Sequence, residues 1–389
     1  MLKEATRLKN LSSYFPNLNG LRFVAALVVI IHHAEQMKGL FGQANYFQVP
    51  LVHIVGRLGV IFFFVLSGFL ITYLLLQEKR NTGTISIKSF YIRRLLRIWP
   101  LYYCTVLMGL FIMPHIRLFS VPIWSATVAT DFHMKCLLFL AFVPNLAVAM
   151  FPTVPYVSQS WSVGVEEQFY LIWPILTRKI NNIFYMLGGI IAIYLGVQYY
   201  LTFSTGGGQG SPVREQILLI WNAFNIDCMA IGGMAAAGYF YKISGILAIL
   251  FNRWFQVAVY TATFGMLVKG IHFNVFHHEI YAVLFAIIIV NCAGNRDSVI
   301  SLENRIFVYL GRISYGLYMY QFIGIVASLR MLNWLAIYNP IITYMVCLMT
   351  TVLLSAMSYH LFESRFIKAK IRFSCIITGD NVPRQTSGN

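Results

Sequence analysis

Apolar stretches of membrane-spanning length recur along the whole chain, separated by short polar and basic segments. The pattern predicts ten spans, at 20–37, 58–77, 98–114, 163–177, 182–203, 217–240, 254–271, 278–292, 306–328 and 338–361. A further apolar run, Cys136 to Phe151, carries Pro144 and Asn145 in its middle and reads as re-entrant or interfacial. The expected fold is therefore an all-α integral membrane protein, because helices satisfy their own backbone groups within hydrocarbon. Residues 1–20 read as a polar lead, 21–370 as the transmembrane domain, and 371–389 as a polar tail without periodicity, expected to be disordered. No small-residue cleavage site follows an early apolar core, so the first helix is expected to be retained.

Composition agrees with this class. The chain is 58% hydrophobic with mean hydropathy +0.69, which excludes an ordinary soluble enzyme. Lys and Arg number 29 against 13 acidic residues, a net charge of +16. That excess reads as topology, not as a nucleic-acid surface. With the N-terminus cytoplasmic, 22 of the 29 basic residues fall on inside segments and 7 outside, so both termini are expected in the cytoplasm. Six cysteines lack CxxC spacing and read as apolar packing.

Against this apolar background the polar residues inside spans stand out, since each is costly there. Arg22 and His33 lie eleven residues apart on the first span, close to three helical turns, so they share a face about 16 Å apart. His32 points about 100° away and reads as a packing residue. In the second span Ser67 and Gly68 suggest close helix approach. The segment 87–98 reads as an amphipathic helix on the inner surface, with a new span starting near Pro100. Its Arg93, Arg94 and Arg97 are either a positive-inside anchor or a phosphate site at a helix N-terminus. Glu166 and Glu167 enter a span in a chain with few acids, and Tyr170 shares the Glu166 face. Asp227 lies inside 217–240 and needs a basic or hydrogen-bonding partner. Glycine-rich 204–213 lacks GK[ST] and reads as a flexible outside loop. His272, His277, His278 and Glu279 match no metal spacing and read as solvated loop groups; no metal site is expected.

Taken together these stretches resemble the acyltransferase-3 family, integral-membrane O-acyltransferases of bacterial surface glycans. The resemblance covers about residues 15–370. Arg22 and His33 match its basic-x10-His motif, Arg94, Arg97 and Pro100 its RxxR with a nearby proline, and Ser162, Val165, Glu166 and Tyr170 its SxxVExxxY pattern. The LGxxSYGLY stretch runs from Leu310 to Tyr318 and includes Arg312, Ser314 and Tyr315. One departure is Gln321, where relatives often have histidine. Many members also carry an esterase-like domain after the last span; none is expected here, and the membrane domain or a partner is expected to complete acceptor modification.

The resemblance implies transfer of an acyl group, most simply acetyl, from cytosolic acyl-CoA to a hydroxyl of a surface or lipid-linked saccharide, such as a lipopolysaccharide or exopolysaccharide. The expected setting is the bacterial inner membrane, with glycan-assembly proteins as partners, acetyl-CoA as donor substrate and no bound cofactor. Arg94, Arg97 and Arg93 would hold the donor phosphates. His33 would act as general base or as a transient acyl carrier, with Arg22 and Glu166 as its catalytic companions. Ser162, Glu167, Tyr170, Asp227, Arg312, Ser314 and Tyr315 would support the acceptor, and Glu166 and Tyr170 are expected on the outer side. A proton-coupled transporter uses the same residue types and is the rival reading. Acyl-CoA consumption separates the two.

Overall fold

The computed structural model describes residues 12–203, 212–373 and 377–378. Most of the glycine-rich loop, residues 1–11 and most of the tail, including Cys375, lie outside the described residues. The chain is helical. The one β pairing among the described residues joins Ser12–Ser13 to Ile377–Thr378 in parallel.

Among the described residues, seven helical stretches are long and apolar enough to cross a membrane: Leu18–Leu40, Pro50–Thr82, Ile87–His115, Ile183–Phe203, Val213–Phe240, His277–Gly294 and Pro340–Phe373. In chain order the helices are α1 (Leu18–Leu40), α2 (Pro50–Thr82), α3 (Ile87–Leu107), α4 (Phe132–Leu140), α5 (Pro144–Met150), α6 (Trp161–Lys179), α7 (Ile183–Phe203), α8 (Pro212–Asn222), α9 (Ile226–Phe240), α10 (Ser244–Leu250), α11 (Arg253–Lys269), α12 (His277–Gly294), α13 (Arg305–Arg312), α14 (Ser314–Trp334), α15 (Pro340–Ser358) and α16 (Ser364–Lys370). Three expected spans, met here by α6, α11 and α14, fall short of spanning length or hydropathy. Helix α11 has 17 residues. Helices α6 and α14 are long enough but carry Glu166, Glu167, Ser314 and Gln321. Helix α14 is buried along most of its length, so other helices and not lipid set its composition.

Two local expectations are corrected. Pro100 does not start a new helix: α3 runs through it as one element. A proline costs one backbone hydrogen bond and a clash, and here packing on both sides carries the helix past that cost. The 217–240 span is broken, α8 ending at Asn222 and α9 starting after Asn225, which is buried with φ +43°. The non-spanning reading of 136–151 agrees with what is seen: the run forms α4 and α5, of 9 and 7 residues, on either side of Phe142 at φ +63°. At 1.5 Å per residue neither reaches across a bilayer core of about 30 Å.

The site is positioned by a seam between α2 and α9. A Cβ on Gly68 would lie 1.9 Å from the Met229 carbonyl oxygen, and one on Gly232 would lie 2.0 Å from that of Val65. Backbone meets backbone at both points, as small residues permit in membrane helix packing. Trp173 of α6 locks onto this pair by donating its indole N–H to Thr72 Oγ1 at 3.0 Å. The start of α1 is pinned by Asn17, in the left-handed region at φ 64°. Its side chain accepts from the Leu302 N–H and donates to the Cys292 carbonyl, and its own N–H donates to Glu303.

Candidate active site

Two cavities meet inside the bundle. The first, of about 130 Å³, is lined by Arg22, Ser67, Arg94, Arg97, Ser162, Glu166, Tyr170, Ser314, Tyr315 and Tyr318 among others. It opens into a second space of about 110 Å³ that shares Arg22, Ser67, Arg94, Arg97 and Tyr170 and adds Tyr14, Asn19 and Lys370. These form one arginine chamber. The other cavity, of about 240 Å³, holds His32, His33, Gln36, Arg57, Trp124, Gln159, Trp161 and Phe322. Tyr318 is the one residue lining both the first cavity and the histidine chamber.

Each chamber is held by short side-chain links. In the arginine chamber the Glu166 carboxylate accepts from Ser67 Oγ at 2.9 Å and from the Tyr170 hydroxyl at 2.8 Å, so one acid ties α2 to α6. The Arg94 guanidinium lies over the Tyr170 and Phe90 rings, 5.5 and 5.7 Å from their centroids. Arg22 donates to Asn19 Oδ1 at 3.1 Å, one turn back on α1. The Tyr315 hydroxyl donates to the Ile98 carbonyl, fixing α14 against α3. The dividing Tyr318 is held twice: its hydroxyl donates to the Gln159 carbonyl at 2.8 Å, which leaves Ser162 Oγ, also at 2.8 Å, to donate to it.

His33 is oriented by Gln321. The amide Nε2 of Gln321 donates to the Tyr318 carbonyl at 3.0 Å. Its Oε1 is thereby turned to His33 Nδ1, 2.9 Å away. An amide oxygen only accepts, so Nδ1 carries the proton and Nε2 keeps its lone pair. The ring packs against Phe322, with centroids 4.5 Å apart. His32 is bound separately, through Nδ1 to the Val52 carbonyl at 2.7 Å, and its ring lies against Gly56 where any Cβ would clash.

The expected site residues divide. Arg22, Arg94, Arg97, Ser162, Glu166, Tyr170, Ser314 and Tyr315 come together in one chamber. Glu166 and Tyr170 are among the arginines and not across from them, because Glu166 faces Ser67 more than a turn inward from Trp161. Arg22 and His33 share a helix face but line different chambers. Arg93 turns away, pairing with Glu78 at 3.0 Å and donating to the Phe373 carbonyl. Glu167 accepts from the Trp99 indole, outside both chambers. Arg312, at the end of α13, and Asp227 also lie outside them. Asp227 neighbours another acid, Glu279, and both are buried, so Glu279 is not a solvated loop residue. Arg57, Gln159, Trp124 and Lys370 were not singled out by sequence. Arg57 stood at the edge of a span, where an arginine reads as an anchor, and the others belong to no motif. Ser67 was read only as a small packing residue; its hydroxyl beside Gly68 was the available signal.

Comparison with known proteins follows the same outline. O-acetyltransferase OatA of Staphylococcus aureus strain NCTC 8325 is 28% identical over 399 residues, covering 95% of this chain and 59% of OatA. A provisionally named O-acetyltransferase of S. aureus strain COL is 26% identical over 386 residues, covering 92% of this chain and 58% of that protein. The chain thus spans under two thirds of the length of the curated relatives it matches. No solved structure matches it. The acyltransferase domain model of the acyltransferase-3 type matches residues 15–360, nearly all of the two-chamber bundle, and the chain belongs to that family.

Proposed function

We propose that this protein is a membrane O-acyltransferase that moves an acyl group, most simply acetyl, from acyl-CoA to a saccharide hydroxyl. The observation that carries the reading is the pairing of an arginine chamber with a histidine chamber across the Tyr318 side chain. On the expected topology, with the N-terminus cytoplasmic, the arginine chamber lies at the Arg22 end of α1 and faces the cytosol, where the anionic donor is. Arg22, Arg94 and Arg97 suit its phosphates, since guanidinium and phosphate make charge-assisted, two-pronged hydrogen bonds. The histidine chamber suits a sugar: Trp124 offers an apolar face, Gln36 an amide group, and Gln159 an amide oxygen without a partner among the described residues.

The chemistry then follows from His33. Its lone-pair nitrogen, Nε2, takes the proton from the acceptor hydroxyl as the hydroxyl oxygen attacks the thioester carbonyl. The carbon–sulfur bond breaks, the ester forms, and the proton passes from His33 to the departing thiolate. The same tautomer serves the two-step route, in which Nε2 attacks the thioester carbonyl, the carbon–sulfur bond breaks and the thiolate departs, and the hydroxyl then displaces the acyl group from Nε2, its proton ending on the thiolate. Gln321 has the same value in either case, because it keeps the proton on Nδ1. In both routes the thioester arm must come past Tyr318 to meet His33. Glu166, bound to Ser67 and Tyr170, holds the walls of the donor chamber.

The test uses purified full-length protein with radiolabelled acetyl-CoA and saccharide acceptors. Thioester consumption with label in the saccharide, lost in His33→Ala protein that elutes as the wild type does, is the expected result. Solute uptake into vesicles without thioester consumption would establish the transporter reading instead. Mass spectrometry of surface glycans with and without the gene would then identify the acceptor by an acetyl-sized difference.

A further inference from the structure

The histidine chamber holds a cation that the acyl-transfer scheme does not use. Arg57 lies on α2 and lines the chamber together with His33, Gln159 and Trp161. Its guanidinium is fixed on two sides. The carbon lies 4.2 Å from the centroid of the Trp161 ring, and Nη2 donates to the Asn222 carbonyl at 2.9 Å, where α8 ends ahead of the break. No carboxylate of a described residue lies within 4 Å of it. The acids on the neighbouring helices, Asp227 and Glu279, form no ion pair with it.

An arginine deep in a membrane protein is costly unless an opposite charge meets it. The planar fork of a guanidinium matches a carboxylate or a phosphate with two parallel hydrogen bonds. Trp161 covers one face of Arg57 and Asn222 takes one donor, so the group is preorganised with donors left over in a cavity that also contains His33. Preorganisation reduces the ordering cost of binding. We infer that the acceptor carries an anionic group, a carboxylate or phosphate ester, which Arg57 binds while His33 faces the hydroxyl to be acylated. This rests on the proposed saccharide acylation and narrows its substrate to acidic or phosphorylated saccharides.

The experiment measures binding apart from turnover. Full-length protein in lipid nanodiscs is titrated with three disaccharides that differ in one substituent: neutral glucose-based, glucuronic-acid-containing, and 6-phosphorylated. At least tenfold tighter binding of one or both charged sugars is expected, falling to the neutral value in Arg57→Gln. The uronic acid and phosphate arms tell the two anion sources apart. Arg57→Lys, which keeps charge without the fork, should retain part of the preference and serves if Arg57→Gln does not fold. Equal binding of all three sugars, absence of binding by the charged ones, or a preference untouched by Arg57→Gln would each overturn the proposal. Acetyl-CoA consumption is followed in the same preparations. Its absence in the wild type would count against the acyltransferase reading, whereas charged-sugar preference speaks to Arg57 alone.

Discussion

Replacing Gln321 by leucine removes the oxygen that accepts from His33 Nδ1–H and leaves the packing volume nearly unchanged. The Tyr318 carbonyl, also bound by Gln321, lies inside α14 and keeps its helical hydrogen bond. The loss therefore falls on His33. A buried donor left without an acceptor costs about 1–3 kcal/mol. The ring can recover this only by moving its proton to Nε2 or rotating, and either change removes the lone pair from the acceptor hydroxyl. Charged against the transition state, that range corresponds to about a 5- to 150-fold fall in kcat. The assay is label transfer from acetyl-CoA at saturating donor and acceptor, with KM for acyl-CoA measured alongside. It should stay at the wild-type value, because Gln321 does not line the arginine chamber. Gln321→His offers a ring nitrogen near the same spot, as relatives do, and should recover most of the rate. A leucine variant with wild-type kcat, or a loss expressed only in KM, would refute the orienting role of Gln321.

Three further outcomes follow from the geometry. Arg94→Ala and Arg97→Ala should each raise KM for acyl-CoA about 10- to 150-fold, from the 1.5–3 kcal/mol of a hydrogen bond to a charged group; high salt should shrink the difference, and an unchanged KM counts against a phosphate site. Arg93→Ala should leave that KM alone but lower the thermal unfolding midpoint, since Glu78 loses its ion-pair partner at a cost of about 1–3 kcal/mol; a raised KM would return Arg93 to the donor site. Gly232→Ala should destabilise by about 1–3 kcal/mol, as overpacking does, because the new Cβ meets the Val65 carbonyl at 2.0 Å; fluorescence-detected thermal unfolding reads the shift, and an unchanged midpoint would mean the seam is looser than described.

Much of the helical layout was legible because hydrocarbon imposes a simple rule on composition, and helices lie at all ten expected stretches. What escaped was local and depended on neighbours. Helix α3 passes Pro100 because packing outweighs a local preference that the sequence displays plainly. Helix α9 starts late because Asn225 takes a left-handed conformation that no pattern announces. For the site, spacing identified side chains that share a helix face but not what stands between them. Arg22 and His33 are aligned on α1, yet Tyr318, from a helix nearly 300 positions later, separates their cavities. Arg93 and Arg94 are adjacent in a basic run, and only the position of Glu78 on α2 decides that one turns away while the other faces the chamber. Asp227 needs a basic or hydrogen-bonding partner by its position; the fold places beside it another acid, Glu279, which the sequence set in a loop.

The Tyr318 partition also bears on how such a protein coexists with an energised membrane. In the proposed orientation the arginine chamber is wetted from the cytosol and the histidine chamber from outside. Joined, they would form a water-filled conduit lined with titratable groups, and every ion crossing it would dissipate about 2.3 kcal/mol per charge at 100 mV. A phenol ring fastened by Ser162 and Gln159 closes that conduit while leaving a carbonyl-anchored imidazole just beyond it. The ring is thus electrical insulation as well as a wall. Under the proposed scheme it would let an acyl group change sides in a cell whose energy supply depends on protons not doing so.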